Sequence, residues 1–146
     1  MIVELVKTQT RDGVRLDGAI TRQSVTAATD VDSDSKPTGL IVCLHGVGSN
    51  FYGSTMMNVL AEGLHSEQWD VLRVNTRGHD YCYVGSFKMG VRRFGSGYET
   101  VADCVQDIAA WVRWAEQAGY ERVVLLGHSL GAIKTVFYQS HETSDL

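Results

Sequence analysis

The residue of this chain whose surroundings most suggest covalent chemistry is a serine that has one glycine two positions before it and another two positions after it. The pattern G-x-S-x-G is present as Gly127-His128-Ser129-Leu130-Gly131, and so short a pattern also arises by chance. Its surroundings are more specific, because a strand-like run, 122–126, precedes it and a helix-like run, 132–137, follows it. A sharp strand-to-helix turn lifts a serine hydroxyl clear of the sheet, and flanking glycines relieve the crowding there. The segment therefore predicts a nucleophilic serine; the alternative is a glycine-rich turn of an ordinary α/β protein.

A second loop with two glycines follows another strand-like run, 39–44. Its sequence is His45-Gly46-Val47-Gly48-Ser49-Asn50-Phe51, and the glycines would let the backbone pass close to a ligand. We interpret His45 as a structural, hydrogen-bonded residue rather than a base. The alternative for this loop is a dinucleotide-binding fingerprint, with Asp70 about 20 residues farther on. That alternative puts Phe51 where a third glycine is expected and leaves Ser129 unexplained, so one hydrolytic site built from both loops is favoured.

Strand-like and helix-like segments alternate along the chain, which is typical of a mostly parallel sheet covered by helices. An Asp-Gly turn at 11–13 predicts a hairpin between the first two strands. The predicted strands are 2–8, 14–22, 39–44, 71–75 and 122–126, and the predicted helices are 54–66, 98–117 and 130–141. Residues 27–38 are polar and predict a surface loop, whereas 76–97 is glycine-rich without a clear period.

The predicted helix over 98–117 has the strongest pattern in the sequence. Its apolar residues recur at spacings of three and four and predict one buried stripe: Tyr98, Val101, Val105, Ile108, Val112 and Ala115. Its charged residues lie off that stripe: Glu99, Asp103, Asp107, Arg113 and Glu116.

Length and composition fit one ordinary globular domain. The chain has 146 residues, of which 44% are hydrophobic and 21% charged, and this excludes collagen, coiled coil and wholesale disorder. No apolar run approaches the ~20 residues of a membrane span. The first ten residues include a glutamate and a lysine where a signal peptide would be apolar, so we expect a cytoplasmic protein.

Charge and cysteine content argue against several partners and cofactors. The net charge of −4 lacks the basic excess of a nucleic-acid-binding protein. Cys43, Cys82 and Cys104 are odd in number and far apart, so we expect buried, reduced thiols rather than disulfides or a zinc site. No metal or other cofactor is expected.

Three motifs together resemble the N-terminal half of an α/β-hydrolase-fold protein of the serine esterase, lipase-like and S33-type peptidase branch. They are VCLHGVGSNF, VLRVNTRGHD and RVVLLGHSLGA, and they occur in the order found in that family. The first two strands are also in keeping with it. The resemblance implies an α/β-hydrolase fold in which residues 1–146 are the N-terminal part of a single domain.

The resemblance also implies roles for individual residues. Ser129 would be the nucleophile that attacks an ester, thioester or amide of a small-molecule acyl substrate. The backbone N–H groups of Val47 and Leu130 would form the oxyanion hole. Supporting positions in the two loops would be His45, Gly46, Gly48, Gly127, His128 and Gly131.

The sequence departs from the family after the serine. The family's catalytic acid and base follow the nucleophile along the chain, but only 17 residues follow Ser129. His141 would stand about 18 Å away along the helix, too far for a base. We therefore expect a fold truncated after the helix that begins at Ser129, with acid and base in a missing C-terminal part and little activity in this chain alone. His79 is the alternative base within the chain.

Two further expectations follow from a truncated fold. A non-catalytic remnant or ligand-binding fragment of the same fold is the alternative function. The strand at 122–126 would lack its later neighbour, and an unpaired apolar edge predicts self-association.

Overall fold

An Asp-Gly turn joins the first two strands of the chain, as predicted. The computed structural model describes residues 2–22, 39–64 and 69–142; the loop predicted over 27–38 and the predicted end of the 54–66 helix lie outside them. Strand β1 (Ile2–Gln9) pairs antiparallel with β2 (Arg15–Arg22). Gly13 lies between them at φ +88°, a backbone conformation that glycine adopts without steric cost.

The remaining strands of the main sheet run parallel to one another. They are β3 (Gly39–Leu44), β4 (Trp69–Val74) and β7 (Arg122–Gly127). Strand β3 pairs in parallel with β4 on one side and β7 on the other, and β2 joins antiparallel to β4. The strand order is therefore β1-β2-β4-β3-β7, which confirms the predicted mostly parallel sheet of five strands.

Helices cover both faces of this sheet. Helix α1 (Thr55–Leu64) packs its buried Met57 and Ala61 against Cys43 and Val71 on one face. Helices α2 (Cys104–Gln117) and α3 (Leu130–Glu142) cover the larger core on the other face. Side chains alternate between the two faces along each strand, so the apolar run of β3 is buried on both.

Helix α2 buries much of the predicted stripe, but it begins later and also buries residues that the prediction left out. It begins at Cys104, after a 3-10 turn at Val101–Asp103, whereas the prediction began it at 98. Its buried apolar residues include Cys104, Ile108, Trp111 and Ala115, while Tyr98 is exposed. Ile108 and Ala115 are buried, and Val105 and Val112 pack against the core, as predicted. The prediction was wrong at its start, Tyr98, and it omitted Trp111, which faces the core and whose Nε1–H donates to the Asn75 carbonyl.

The segment 76–97, which has no clear period, contains a separate two-stranded hairpin. Its strands are β5 (Tyr83–Phe87) and β6 (Gly90–Phe94). Every second side chain of β5 is half-buried, but an alternation over five residues is too short to predict a strand from the sequence. Cys43 and Cys104 are buried as expected, and Cys82, which immediately precedes the hairpin, is exposed, contrary to prediction.

Within the described residues, no helix is long and apolar enough to cross a membrane.

Candidate active site

Three loops meet at one edge of the sheet because three parallel strands end there in register. Leu44, at the end of β3, pairs with Val74 of β4 on one side and Gly127 of β7 on the other. The segments that follow, 45–53, 75–82 and 128–129, therefore leave the sheet side by side. The carboxyl edge of parallel strands is where α/β proteins place their ligand sites.

Ser129 occupies a strained position between β7 and α3. Its φ is +55°, in the left-handed region that non-glycine residues seldom adopt. A side chain at Gly127 would overlap the backbone of Gly131, and one at Gly131 would overlap the Leu44 carbonyl. Both flanking glycines are thus required by close packing, and Ser129 is held exposed at the turn.

The loop after β3 lies directly against Ser129. A Cβ at Gly46 would stand 3.1 Å from the Ser129 Cβ, so the structure brings the two predicted loops together. Gly48 has φ +65° and lies under the Tyr81 ring. The Val47 side chain is exposed. Among the described residues, no hydrogen bond uses the backbone N–H of Val47 or of Leu130.

His45 is buried beneath this loop with both ring nitrogens occupied. Nε2 accepts the Thr76 N–H at 3.2 Å, so the proton lies on Nδ1, which donates to the Gly46 carbonyl at 2.8 Å. Burial lowers the pKa of His45 from 6.5 to about 4. The imidazole is therefore neutral at physiological pH and fixes the loop rather than facing Ser129.

A buried lysine, which sequence reasoning missed, joins α3 to the two neighbouring loops. Lys134 Nζ donates to Glu99 Oε2 at 2.7 Å and to Thr76 Oγ1 at 3.1 Å, and the residue is 1% exposed. Thr76 Oγ1 is in turn 3.2 Å from His45 Nε2. The sequence signal that could have revealed Lys134 is its position within an otherwise apolar helical run, because a lysine is buried only where it has a partner.

The loop after β4 is held by Arg77. Its Nε donates to Asp107 at 2.9 Å and its Nη1 to Asp12 at 2.8 Å, while its backbone N–H also donates to Asp107. Burial would lower the pKa of Arg77, but attraction to Asp107 and Asp12 outweighs it and raises the pKa above its usual range. Asp107, predicted to lie off the apolar stripe, is fully buried for this reason.

Asp80 links the loop after β4 to the loop after β3. It is the second non-glycine residue with positive φ, at +56°, and it accepts hydrogen bonds from Asn50, Tyr52 and His79. Burial raises the pKa of Asp80, but these bonds outweigh it and the pKa is lowered. The carboxylate therefore stays ionised and holds both loops.

None of the described histidines is hydrogen-bonded to Ser129. His79 Nδ1 lies 2.9 Å from Asp80, and its ring stacks on Tyr83. His141 lies exposed near the end of an unbroken α3, with Nδ1 2.9 Å from the Phe137 carbonyl. Within residues 2–22, 39–64 and 69–142, no hydrogen bond joins Ser129 to an imidazole. The same residues contain no group of three or more His, Cys, Asp or Glu suited to a metal ion.

The fold and the position of the loops at its carboxyl edge define the α/β-hydrolase class. Residues 41–141 match the model of the alpha/beta hydrolase family, and the chain belongs to that family. This confirms the resemblance to α/β hydrolases that the three motifs indicated.

Solved structures with this fold include several esterases. An esterase of Pyrococcus furiosus is 24% identical with a TM-score of 0.67, and the match covers 95% of this chain and 45% of that one. Est1E of Butyrivibrio proteoclasticus, solved with ferulic acid bound, is 16% identical with a TM-score of 0.69, covering 95% of this chain and 49% of that one. The chain thus spans less than half the length of these proteins. No curated protein matches it significantly.

Proposed function

We propose that the protein is a serine hydrolase that cleaves an ester, thioester or amide of a small-molecule acyl substrate. The observation that carries the proposal is the strained, exposed Ser129 packed against a glycine-containing loop with an unused backbone N–H. A nucleophile beside two backbone donors supplies the attacking group and the oxyanion hole of an acyl-transfer site, to which a general base must be added.

In this mechanism the Ser129 hydroxyl oxygen attacks the substrate carbonyl carbon as a general base removes its proton. The negative charge that forms on the carbonyl oxygen is stabilised by the N–H groups of Val47 and Leu130. Leu130 is the first residue of α3, so the positive end of the helix dipole adds to that stabilisation. Collapse of the intermediate releases the protonated leaving group, and water then hydrolyses the acyl-serine.

The base and acid of this mechanism are proposed to lie outside the 146 residues, which would make the chain the N-terminal part of one hydrolase domain. Two observations support this. His45 has both nitrogens occupied, and His141 is separated from Ser129 by the length of α3. The alternative is a non-catalytic, ligand-binding fragment, favoured by the lack of an imidazole bonded to Ser129 among the described residues.

The experiment compares hydrolysis of p-nitrophenyl acetate and butyrate by three proteins: the 146-residue chain, its Ser129→Ala variant, and a version extended through the downstream coding sequence. We expect the first two to be indistinguishable and the third to be active and to lose activity on Ser129→Ala. Serine without its base and acid keeps only a small part of its catalysis. Strong Ser129-dependent turnover by the short chain would contradict the missing-base proposal, and His79→Gln would then identify an internal base. An inactive extended protein would favour the non-catalytic alternative.

A further inference from the structure

Helix α1 covers only part of its face of the main sheet and leaves the part formed by β1 and β2 open. The helix covers β3 and β4, whereas Val3 and Leu5 of β1 remain exposed. Val3 pairs with Thr21 and Leu5 with Ala19, and Ala19 pairs in turn with Arg73 of β4. These side chains line a cavity of about 340 Å³ between the strands and α1, the lower end of the range that small ligands occupy.

Two polar atoms buried in this groove have no partner. Thr21 is 1% exposed and its hydroxyl makes no hydrogen bond, and Arg73 Nε is likewise buried and unbonded. A buried donor without an acceptor costs free energy, so native proteins seldom leave two at one place. Both atoms belong to residues that line the groove.

Arg73 also brings a positive charge to the groove. Asn58 holds one of its terminal nitrogens, and within the described residues no carboxylate lies within ion-pair distance of the guanidinium. Burial lowers the pKa of Arg73, while Cys43 and Glu62 act in the opposite direction; an arginine nevertheless stays protonated. The groove thus combines an apolar floor, a fixed cation and a hydroxyl donor, with the Glu62 carboxylate also in its lining.

We propose that this groove is a binding site for an aliphatic carboxylate. One carboxylate oxygen would accept from Arg73 Nε and the other from the Thr21 hydroxyl, and the alkyl chain would lie on Val3, Leu5 and Ala19. Two donors match the two oxygens of a carboxylate, and a charge-assisted bond to a guanidinium is among the stronger hydrogen bonds. Phe51 and Tyr52 of the loop after β3 also line the groove, but Ser129 does not, so the groove adjoins the candidate active site without containing its nucleophile.

The test is titration of the purified protein with decanoate, below its micelle concentration, followed by calorimetry and by NMR. We expect saturable binding of one decanoate per chain, and binding of decanol at least roughly tenfold weaker because it lacks the charge. Arg73→Gln and Thr21→Val should each weaken decanoate binding, by roughly tenfold for the arginine. Glu62→Gln should strengthen it, because it removes a negative charge beside Arg73.

Surface variants keep the test decisive if the buried substitutions unfold the chain. Leu5→Asp changes a side chain on the floor of the groove that is 72% exposed. Its matched control, Val84→Asp, changes a side chain of the β5–β6 hairpin that is 69% exposed. Only Leu5→Asp should abolish binding. Ser129→Ala should bind decanoate as the unmodified chain does. Equal binding by the two surface variants, equal binding of decanol and decanoate, loss of binding on Ser129→Ala, or no binding at all would each overturn the proposal.

Discussion

Asn50 donates a hydrogen bond of 2.5 Å from its side-chain amide to Asp80 Oδ1, and so connects the loop after β3 to the loop after β4. Asp80 also donates its backbone N–H to the Ser49 carbonyl at 3.1 Å. The residues preceding Asn50 contain Val47, the proposed oxyanion donor. The position of that donor therefore depends on a carboxylate that lies on another loop.

Replacing Asp80 by alanine should lower hydrolysis by the catalytically active, extended protein roughly tenfold, because a displaced donor stabilises the oxyanion less. Substrate affinity should change less than the turnover rate. The measurement is p-nitrophenyl butyrate kinetics, with Asp17→Ala as the control, since Asp17 has only a 3.9 Å ion pair with Arg15. Unchanged turnover in Asp80→Ala would contradict the positioning role.

Gly46→Ala should lower the rate of ester hydrolysis by a larger factor than it lowers the thermal stability of the protein. The new methyl group would lie 3.1 Å from the Ser129 Cβ, closer than ordinary packing, and would push the serine or the loop aside. Gly63→Ala is the matched control, because nothing lies within 4 Å of that position in α1. The control should stabilise the chain by about 0.5–1 kcal/mol through helix propensity. Thermal melts and ester kinetics distinguish the two effects, and an equally active Gly46→Ala would argue against close contact between the loops.

Ser129→Gly should be more stable than Ser129→Ala, although both should be inactive. The φ of +55° costs a side-chain-bearing residue about 1–2 kcal/mol, and glycine avoids that cost. Glycine's greater unfolded-state entropy offsets part of the gain, so we expect a difference of up to about 1 kcal/mol. Urea denaturation of the two variants measures it. An alanine variant more stable than the glycine variant would mean that the turn is not strained.

Acidification should destabilise the chain through His45. Its pKa is about 4 in the folded state against 6.5, so between these pH values the unfolded chain binds a proton that the folded chain excludes. Stability from this group is complete above pH 6.5 and falls as the pH drops to about 4, by roughly 3 kcal/mol in total.

The free energy of unfolding, measured by denaturation at a series of pH values, should therefore change less steeply with pH in His45→Gln than in the unmodified chain. The glutamine is the chosen substitute because its amide oxygen can still accept the Thr76 N–H. His141→Gln, at an exposed position, is the control and should keep the unmodified slope. Identical slopes in all three proteins would refute the assignment of a buried neutral imidazole.

The isolated 146-residue chain should self-associate through β7. Among the described strands only β3 pairs with it, and Val124 on β7 is 46% exposed. Unpaired apolar edges favour intermolecular pairing, and an added lysine opposes it. Light scattering after gel filtration should show less association in Val124→Lys than in Val91→Lys, a matched exposed valine of the hairpin. A monodisperse monomer of the unmodified chain would contradict this prediction.

The sequence alone was sufficient for the main sheet and its helices, because each element has a local signal. Continuous apolar runs marked β3 and β7 as strands, and Asp12-Gly13 marked the first hairpin. Only β3 is buried as such a run predicts, because β7 lies at the edge of the sheet and its residues are at most half-buried. The G-x-S-x-G pattern predicted a sharp strand-to-helix turn, and Ser129 does lie exposed between β7 and α3 with positive φ. These features depend on residues that are close in sequence, so their patterns can be read directly.

Only the tertiary structure decided which polar residues are buried and what they hold. Lys134, Glu99 and Thr76 are far apart in sequence, and they meet because Lys134 reaches from α3 to the segments that follow β4. In the same way, Asp107 is buried because Arg77 reaches it from another loop, and Thr21 and Arg73 share a groove because β2 pairs with β4. A charge is buried only where partners from other elements converge, and that convergence leaves no periodic signal in the sequence.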